Sequence, residues 1–96
     1  MIVHMVLFKY RADVGEPIRT QHRERLATLA DIDGIADLKV GADIVRSQRS
    51  YDTGLLIVFA DRAALDAYQK NPRHVPVSQF GVAHCDSIVA VDFESH

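Results

Sequence analysis

Three side chains of the sequence have the types and spacing that acid/base chemistry on a small molecule requires. Tyr68 and His74 lie on either side of Asn71-Pro72, and His4 lies within an apolar N-terminal segment. A neutral imidazole with a pKa near ~6.5 can remove a proton next to a carbonyl group at neutral pH. A phenol O–H can donate a hydrogen bond to the enolate oxygen that then forms. The same residues are also compatible with structural polar groups bonded inside the protein, so the elements that carry them decide whether they meet.

The first half of the chain predicts a strand, a helix and a second strand. Ile2 to Tyr10 is rich in β-branched and aromatic residues, and both of its alternating faces are largely apolar. Pro17 fits the first turn of a helix that ends before Gly34. The apolar stripe of that helix is Ile18, His22, Leu26 and Leu29. Ala36 to Ile44 alternates apolar and polar residues, which indicates a weaker strand.

The second half predicts a strand, two helical segments and a last strand. Thr53 to Ala60 is the strongest strand, and Asp61 is a suitable N-cap for the helix "RAALDAYQK". That helix should stop at Asn71, because the residue before a proline is biased away from helical geometry. "HVPVSQFGVAH" predicts a further short helix, and Asp86 to Glu94 predicts a strand. The helix directs Tyr68 toward the sheet, and the break lets His74 approach the same space.

The order of these elements is β-α-β-β-α-β with an extra helical turn, which predicts one ferredoxin-like α+β domain over residues 1–96. Two helices can cover only one face of a four-stranded sheet. The first, third and last strands are apolar on both faces, so the second sheet face would be exposed in a monomer. We therefore predict a homodimer whose two sheets pack face to face.

Charge, hydropathy and cysteine content exclude several classes of function. The net charge of −2 does not favour binding to nucleic acid or to an anionic membrane. No apolar run approaches the ~18 residues of a membrane span, and the N-terminal segment lacks the features of a signal peptide. Cys85 is the single cysteine and sits in a strand-like segment, where we interpret it as a small buried side chain. A single cysteine also indicates a reducing compartment, so we expect a soluble cytoplasmic protein.

Nucleotide and zinc motifs are absent from the sequence, which leaves the histidines and tyrosines as candidates. His22 lies on the apolar stripe of the first helix, and we interpret it as a core-edge histidine bonded to a backbone carbonyl. Tyr51 begins a strand, where aromatic residues are favoured. His4 has apolar neighbours and must either find a partner or line a cavity, because an unpaired buried polar group is costly.

Three segments resemble the stress-responsive A/B barrel (Dabb) family: "VHMVLFKY", "RSYDTGLLIVFADRAALDAYQKNPRHVPV" and "SIVAVDF". The most distinctive pieces are the opening histidine strand with its Phe-Lys, the Tyr-Asp before the third strand, and the Tyr-x-x-x-Pro-x-His-Val run. The resemblance extends from about Ile2 to Phe93. It implies a single Dabb domain that forms a dimeric α+β barrel.

The resemblance also implies roles for individual residues. One plant relative, olivetolic acid cyclase, closes a linear polyketide by intramolecular aldol condensation, and its catalytic tyrosine and histidine fall on Tyr68 and His74. Its strand-one histidine, which lines the pocket, falls on His4. The sequence differs from the cyclase at Asn71, where the cyclase has a histidine, and at Pro76, where it has a glycine. Pro76 stiffens the segment and removes an N–H donor, so the placement of His74 depends on it.

These observations leave three functions open. The first is a cofactor-independent cyclase or lyase acting on polyketide-like or aromatic small molecules, with His74 as the base, Tyr68 as the enolate-oxygen donor and His4 as a substrate contact. That step needs no metal and no organic cofactor. The second is a non-catalytic stress-response or small-ligand-binding protein, and the third is a cofactorless monooxygenase. A shared cavity of roughly 300 Å³ or more would favour an enzyme, and a solidly packed interior would favour the second function.

Overall fold

Four strands form one antiparallel sheet, and buried side chains alternate along its two central strands. The computed structural model describes all residues 1–96, and the sheet order is β2-β3-β1-β4. The strands are β1 (Ile2–Tyr10), β2 (Ile35–Ala42), β3 (Thr53–Phe59) and β4 (Cys85–Glu94). The helices are α1 (Glu16–Ala27), α2 (Arg62–Lys70) and α3 (His74–His84), and a 3-10 turn (Thr28–Asp31) follows α1. The predicted ferredoxin-like α+β order is confirmed, and the predicted extra helix is α3.

β1 lies between β3 and β4 and pairs with both along its length. His4 faces Ile57 of β3 on one side and Asp92 of β4 on the other. On one face of β1 the alternate residues from His4 to Tyr10 are buried beneath the helices. The pairing of β1 with β3 and β4 therefore fixes the position of His4, a polar side chain, within an apolar layer.

The predicted end of the second strand is wrong by two residues. β2 ends at Ala42 rather than Ile44. The side chain of Ile44 is 92% exposed and has no apolar surface to pack against. The backbone N–H of Asp43 donates to the carbonyl of Asp52 at 2.9 Å, which closes the loop between β2 and β3 instead of extending the strand.

The buried carboxylate of Asp52 joins three elements at the end of the sheet. The carboxylate accepts a hydrogen bond from the backbone N–H of Tyr10 at 2.9 Å. The backbone N–H of Asp52 donates to the carbonyl of Phe8 at 2.9 Å. The guanidinium of Arg19 on α1 lies 3.5 Å from the same carboxylate. The Tyr-Asp pair before β3 therefore fixes the end of β1 against α1 and the following strand.

Asn71 ends one helix and begins the next. The predicted N-cap of α2 is confirmed, because the Asp61 side chain accepts from the backbone N–H of Ala64 at 2.8 Å. α2 then stops at Asn71, whose ψ of 130° is extended. The Asn71 side chain accepts from the N–H of Arg73 at 2.8 Å, and its carbonyl accepts from the N–H of His74 at 2.9 Å. This double role explains the asparagine before the proline.

Pro76 does not interrupt α3. It is the third residue of the helix, so its missing N–H falls in the first turn, where amide groups have no partner within a helix. The carbonyl that the N–H would have reached lies four residues back, on exposed Pro72, where water can hydrate it. The proline therefore leaves His74 in place as the first residue of a regular helix.

The helices cover one face of the sheet only. The core lies between that face and the buried positions of the helices, which include Leu26, Leu65 and Val77. On the opposite face, Leu7, Val91 and Phe93 remain 40%, 55% and 46% exposed.

None of the helices combines the length and the apolar character that a membrane span requires.

Gly34 occupies a position that only glycine tolerates. Its φ of +91° is left-handed, and a Cβ at this position would lie 2.7 Å from the Cβ of Ala64. We expect Gly34→Ala to lower the free energy of unfolding by roughly 2 kcal/mol or more, because both strain and overlap are introduced. Urea denaturation measures this change.

Gly15→Ala is the matched control for that substitution. Gly15 has an ordinary φ of −80°, and its Cβ would meet only the ring of Pro17, at 3.7 Å. Its denaturation midpoint should stay near that of the wild type. Equal midpoints for the two variants would contradict the structural role of Gly34.

Candidate active site

A cavity of about 240 Å³ lies between the sheet and helices α2 and α3. Tyr68, His74 and His4 all line it, so the structure brings together the three residues singled out by the sequence. The cavity is smaller than the ~300 Å³ at which drug-sized pockets begin, and the size expected for an enzyme is not reached. The interior is not packed solid either. The space fits a small molecule whose apolar part contacts residues such as Val6, Phe8 and Ala90.

Larger depressions of about 360, 380 and 480 Å³ lie elsewhere on the surface, and none of them contains both Tyr68 and His74. One of about 360 Å³ is lined by Met5, Leu7 and Leu56, and Lys39 is its single titratable group. It is a shallow apolar surface without an acid/base pair. The smaller cavity under the helices is therefore the better candidate site.

The break at Asn71 places Tyr68 and His74 against each other. Their ring centroids are 4.2 Å apart with planes tilted by 40°. The Tyr68 ring also contacts Phe59 at a centroid distance of 5.1 Å and His4 at 6.0 Å. The last turn of α2 and the first turn of α3 thus contribute neighbouring groups to one wall.

Tyr68 is a buried residue whose hydroxyl forms no hydrogen bond within the chain. The side chain is 1% exposed. Burial alone raises the pKa of Tyr68 above its ordinary value, because the phenolate loses its solvation. The phenol therefore keeps its proton at neutral pH and is available as a donor to a molecule in the cavity.

His74 has a free ring nitrogen inside the protein. Its Nδ1 is buried and has no hydrogen-bond partner. Burial lowers the pKa of His74, and the neighbouring His4 lowers it further; the backbone of Gln69 opposes the shift. Gln69 lies near the ring without making a hydrogen bond of ordinary geometry. His74 is therefore a neutral imidazole at pH 7, as a general base must be.

His4 is held by a carboxylate that the sequence analysis did not identify. Its Nδ1 forms a short hydrogen bond with Oδ1 of Asp92, its direct neighbour on β4. The Asp92 side chain is 40% exposed, so the pair lies at the mouth of the cavity. A buried histidine signals that a partner exists, but only the register between β1 and β4 shows which acidic residue it is. This contact fixes the ring orientation and leaves Nε2 for other contacts.

The expected partner of His22 is wrong. His22 is completely buried, but its Nδ1 pairs with the hydroxyl of Tyr10 at 2.6 Å rather than with a backbone carbonyl. His22 has this partner because Tyr10 of β1 faces inward and its phenol extends under α1. Burial lowers the pKa of His22 to about 4, with smaller effects from the neighbouring His84 and Arg23. His22 lines the same cavity, and its Nε2 has no partner.

Tyr51 and Cys85 lie outside the cavity. The hydroxyl of Tyr51 pairs with that of Ser87 at 2.9 Å, in a structural contact. Burial raises the pKa of the Cys85 thiol to about 11, so it is a weak nucleophile, as its interpretation as a small packed side chain implies. No three His, Cys, Asp or Glu side chains are arranged to hold a metal ion.

The buried neutral state of His22 makes stability depend on pH. Its folded pKa of about 4 lies below the ordinary value of 6.5, so unfolding takes up a proton between these pH values. The contribution of His22 is complete above pH 6.5 and is lost as the pH falls to about 4, by up to about 3 kcal/mol. Urea unfolding from pH 7 to pH 4 measures it.

His22→Gln separates this contribution from that of the other titrating groups. Glutamine keeps a polar side chain but takes up no proton, so its unfolding free energy should fall less steeply over the same range. Parallel curves for the wild type and the variant would contradict the assignment.

Comparison with solved structures confirms the fold. A dimeric ferredoxin-like protein of unknown function from Thermobifida fusca YX is 25% identical, with a TM-score of 0.90 over 98% of this chain and 90% of that one. A dimeric ferredoxin-like protein of unknown function from Jannaschia sp. CCS1 is 29% identical, with a TM-score of 0.83 over 98% of each chain. The hydroxynitrile lyase of Passiflora edulis shares the fold at 15% identity, with a TM-score of 0.85 over 96% of this chain and 90% of that one.

Sequence comparison identifies the family. No curated protein matches the chain significantly. The family model described as the stress responsive A/B barrel domain matches residues 2–95, which is almost the whole chain. The match includes the opening strand, the Tyr-Asp pair, and the segment from Tyr68 to His74. The chain therefore belongs to the stress responsive A/B barrel domain (Dabb) family.

Proposed function

We propose that this protein is a cofactor-independent enzyme, a cyclase or lyase, that acts on a small polyketide-like or aromatic carbonyl compound. One observation carries the proposal: the rings of Tyr68 and His74 lie side by side in one cavity, the hydroxyl of Tyr68 forms no hydrogen bond within the chain, and Nδ1 of His74 is buried without a partner. Buried polar groups are normally paired. Two unpaired groups of opposite hydrogen-bonding character are the components that proton transfer and oxyanion binding require.

In this mechanism His74 takes a proton and Tyr68 holds the resulting charge. The neutral ring of His74 removes a proton from the carbon next to the substrate carbonyl, whose electrons move onto the carbonyl oxygen. Tyr68 donates a hydrogen bond to that enolate oxygen. The enolate carbon then attacks a second carbonyl of the same molecule, and the proton on His74 passes to the new alkoxide. A lyase would run the reverse step and break the carbon–carbon bond.

His4 has the position of a substrate contact. Asp92 accepts from its Nδ1, which leaves Nε2 free for a ligand, and His4 lines the cavity. The His4 ring lies 6.0 Å from that of Tyr68. A substrate bound beside Tyr68 would therefore lie within reach of His4, which orients it from the cavity mouth.

Relatives support this class of chemistry without defining the substrate. The Passiflora edulis protein of the same fold is a hydroxynitrile lyase, so the fold can hold lyase chemistry. The relation to olivetolic acid cyclase stays a prediction from the Tyr-x-x-x-Pro-x-His-Val motif. A cofactorless monooxygenase also stays a prediction.

A non-catalytic ligand-binding protein is the second candidate. The volume of about 240 Å³ favours it, because such a cavity fits a small molecule with little room for a chain to fold on itself. The same unpaired groups would then serve only as hydrogen-bonding partners. Turnover separates the two candidates.

Substitution of the two central residues tests the catalytic proposal. We expect Tyr68→Phe to lower kcat/KM for candidate polyketide-type substrates by about 10²-fold, because it removes the oxyanion donor. His74→Ala should lower it by about 10²- to 10⁴-fold, because it removes the base. Since burial lowers the pKa of His74, the wild-type kcat/KM should rise with pH along a limb below pH 6.5.

Tyr51→Phe is the matched control for these variants, since it removes a tyrosine hydroxyl that is bonded outside the cavity. It should retain wild-type turnover. Equal turnover by the wild type, Tyr68→Phe and His74→Ala would exclude the proposed roles.

We also propose that the protein is a homodimer through its open sheet face. The exposed apolar side chains of β1 and β4 are contiguous on that face, in a pattern typical of an interface. The Thermobifida fusca and Jannaschia proteins are dimeric. Two copies packed face to face would remove this surface of both copies from water.

We also propose a cytoplasmic location, with which the single protonated thiol of Cys85 agrees.

A charge on the open sheet face tests the dimer. We expect the wild type to have twice the mass of one chain by light scattering after size exclusion. Val91→Glu should shift it to the monomer, because a carboxylate would be buried without a partner. Val82→Glu is the control, since Val82 is also exposed, at 66%, but lies on α3. A monomeric wild type, or a Val91→Glu variant that remains dimeric, would contradict the proposed interface.

A further inference from the structure

A directed chain of hydrogen bonds ends at His22. The guanidinium of Arg23 donates to the hydroxyl oxygen of Thr53 at 3.0 Å. Thr53 lies 3.0 Å from the hydroxyl of Tyr10, which in turn lies 2.6 Å from Nδ1 of His22. The proton of Thr53 has no other side-chain acceptor, so we assign it to Tyr10 and the proton of Tyr10 to His22. Nδ1 of His22 is then an acceptor, and its proton is on Nε2.

The Nε2–H group of His22 is a buried donor without an acceptor. His22 has no solvent exposure, and Nε2 has no partner within the protein. Leaving such a group unpaired costs about 1–3 kcal/mol. Residue 81 of α3, which packs against it, is a glycine, and a Cβ there would approach Nε2 to 3.1 Å. The backbone of Gly81 therefore lies close to the ring, and a side chain at this position would crowd Nε2.

His22 and the proposed catalytic groups line the same cavity. His4, Tyr68 and His74 contribute one part of the lining, while His22 contributes from α1, beneath α3. A molecule with one oxygen at Tyr68 would have the rest of its length in the same cavity, which His22 also lines. A second oxygen on the same molecule would supply the acceptor that His22 lacks.

We propose that His22 is a substrate-binding residue, whose Nε2–H donates to a second oxygen acceptor of the ligand. Tyr10 is the positioning residue, because its hydroxyl keeps the proton of His22 on Nε2. The inference rests on the proposed function in that a ligand occupies the cavity, but it does not require that the ligand react. A site of this kind selects molecules with two oxygen acceptors, such as 1,3-dicarbonyl compounds, over molecules with one.

Two probes differ only in the second oxygen. 1-Phenylbutane-1,3-dione carries both carbonyls, and 1-phenylbutan-1-one has a methylene in place of the second. We expect the wild type to bind the diketone roughly 5-fold more tightly, the effect of one neutral hydrogen bond. Calorimetric titration measures both affinities. Equal affinities, or no binding of either probe, would overturn the proposal.

Variants locate the source of that preference. In His22→Phe the preference should disappear, while Tyr68→Phe should weaken binding of both probes alike and Tyr51→Phe should change neither. Tyr10→Phe keeps His22 but removes the hydroxyl that holds the histidine proton on Nε2, so the preference of this variant for the diketone should fall. This variant replaces His22→Phe in the test if His22→Phe does not fold. A preference that survives in folded His22→Phe or Tyr10→Phe overturns the proposal.

Nitrogen NMR of the histidine rings gives a readout that activity does not affect. In the wild type at pH 7, His22 should be a single Nε2–H tautomer, and its Nε2 resonance should shift on addition of the diketone. A Nδ1–H tautomer in the free protein would overturn the assignment.

If diketone preference depends on His22 but no probe or candidate substrate is turned over, His22 binds ligand and the catalytic proposal fails. If turnover depends on Tyr68 and His74 but binding is unchanged in His22→Phe, the enzyme stands and this inference fails.

Discussion

The pairing of β1 with two neighbours is the constraint on which the remaining structure depends. A central strand has both of its edges hydrogen-bonded, so its register fixes every inward side chain against one residue on each side. That register sets His4 opposite Asp92 and brings Tyr10 within reach of Thr53 and His22. A shift of one residue would send each of these polar groups to the opposite face. The site is thus determined first by strand pairing and only then by the helices above it.

Polar groups inside this apolar layer follow two different arrangements. The hydroxyls of Tyr10 and Thr53 and Nδ1 of His22 form a connected chain, whereas the Tyr68 hydroxyl, Nδ1 of His74 and Nε2 of His22 have no partner within the chain. Burial costs a polar group several kcal/mol when it has no partner, so unpaired groups persist where something other than stability maintains them. The three residues with an unpaired group line the cavity, and Tyr10 and Thr53 do not. The contrast separates the scaffold from the groups that are free to bind or to react.

Periodicity and local signals predicted most of the fold. The limits of β1, the stripe of α1, the N-cap Asp61 and the stop at Asn71 are all encoded within a few neighbouring residues. The meeting of Tyr68 and His74 was predictable for the same reason, since both belong to one short segment. The partners of His4 and His22 were not, because they come from distant strands whose register is a property of the assembled sheet. Ile44 was placed in a strand because the alternation of apolar and polar residues continues to that position, but no packing surface exists there.

The double role of Asn71 gives the segment between Tyr68 and His74 a fixed phase. Each residue of a helix turns its side chain by about 100°. The asparagine stops one helix and starts the next at a set point, so both helices keep their rotation relative to the cavity. A single residue inserted before His74 would turn α3 by about 100° if the connection stayed equally tight, and both His74 and the core residue Val77 would leave their positions. The length of this connection, and not only its composition, therefore decides whether the two rings meet.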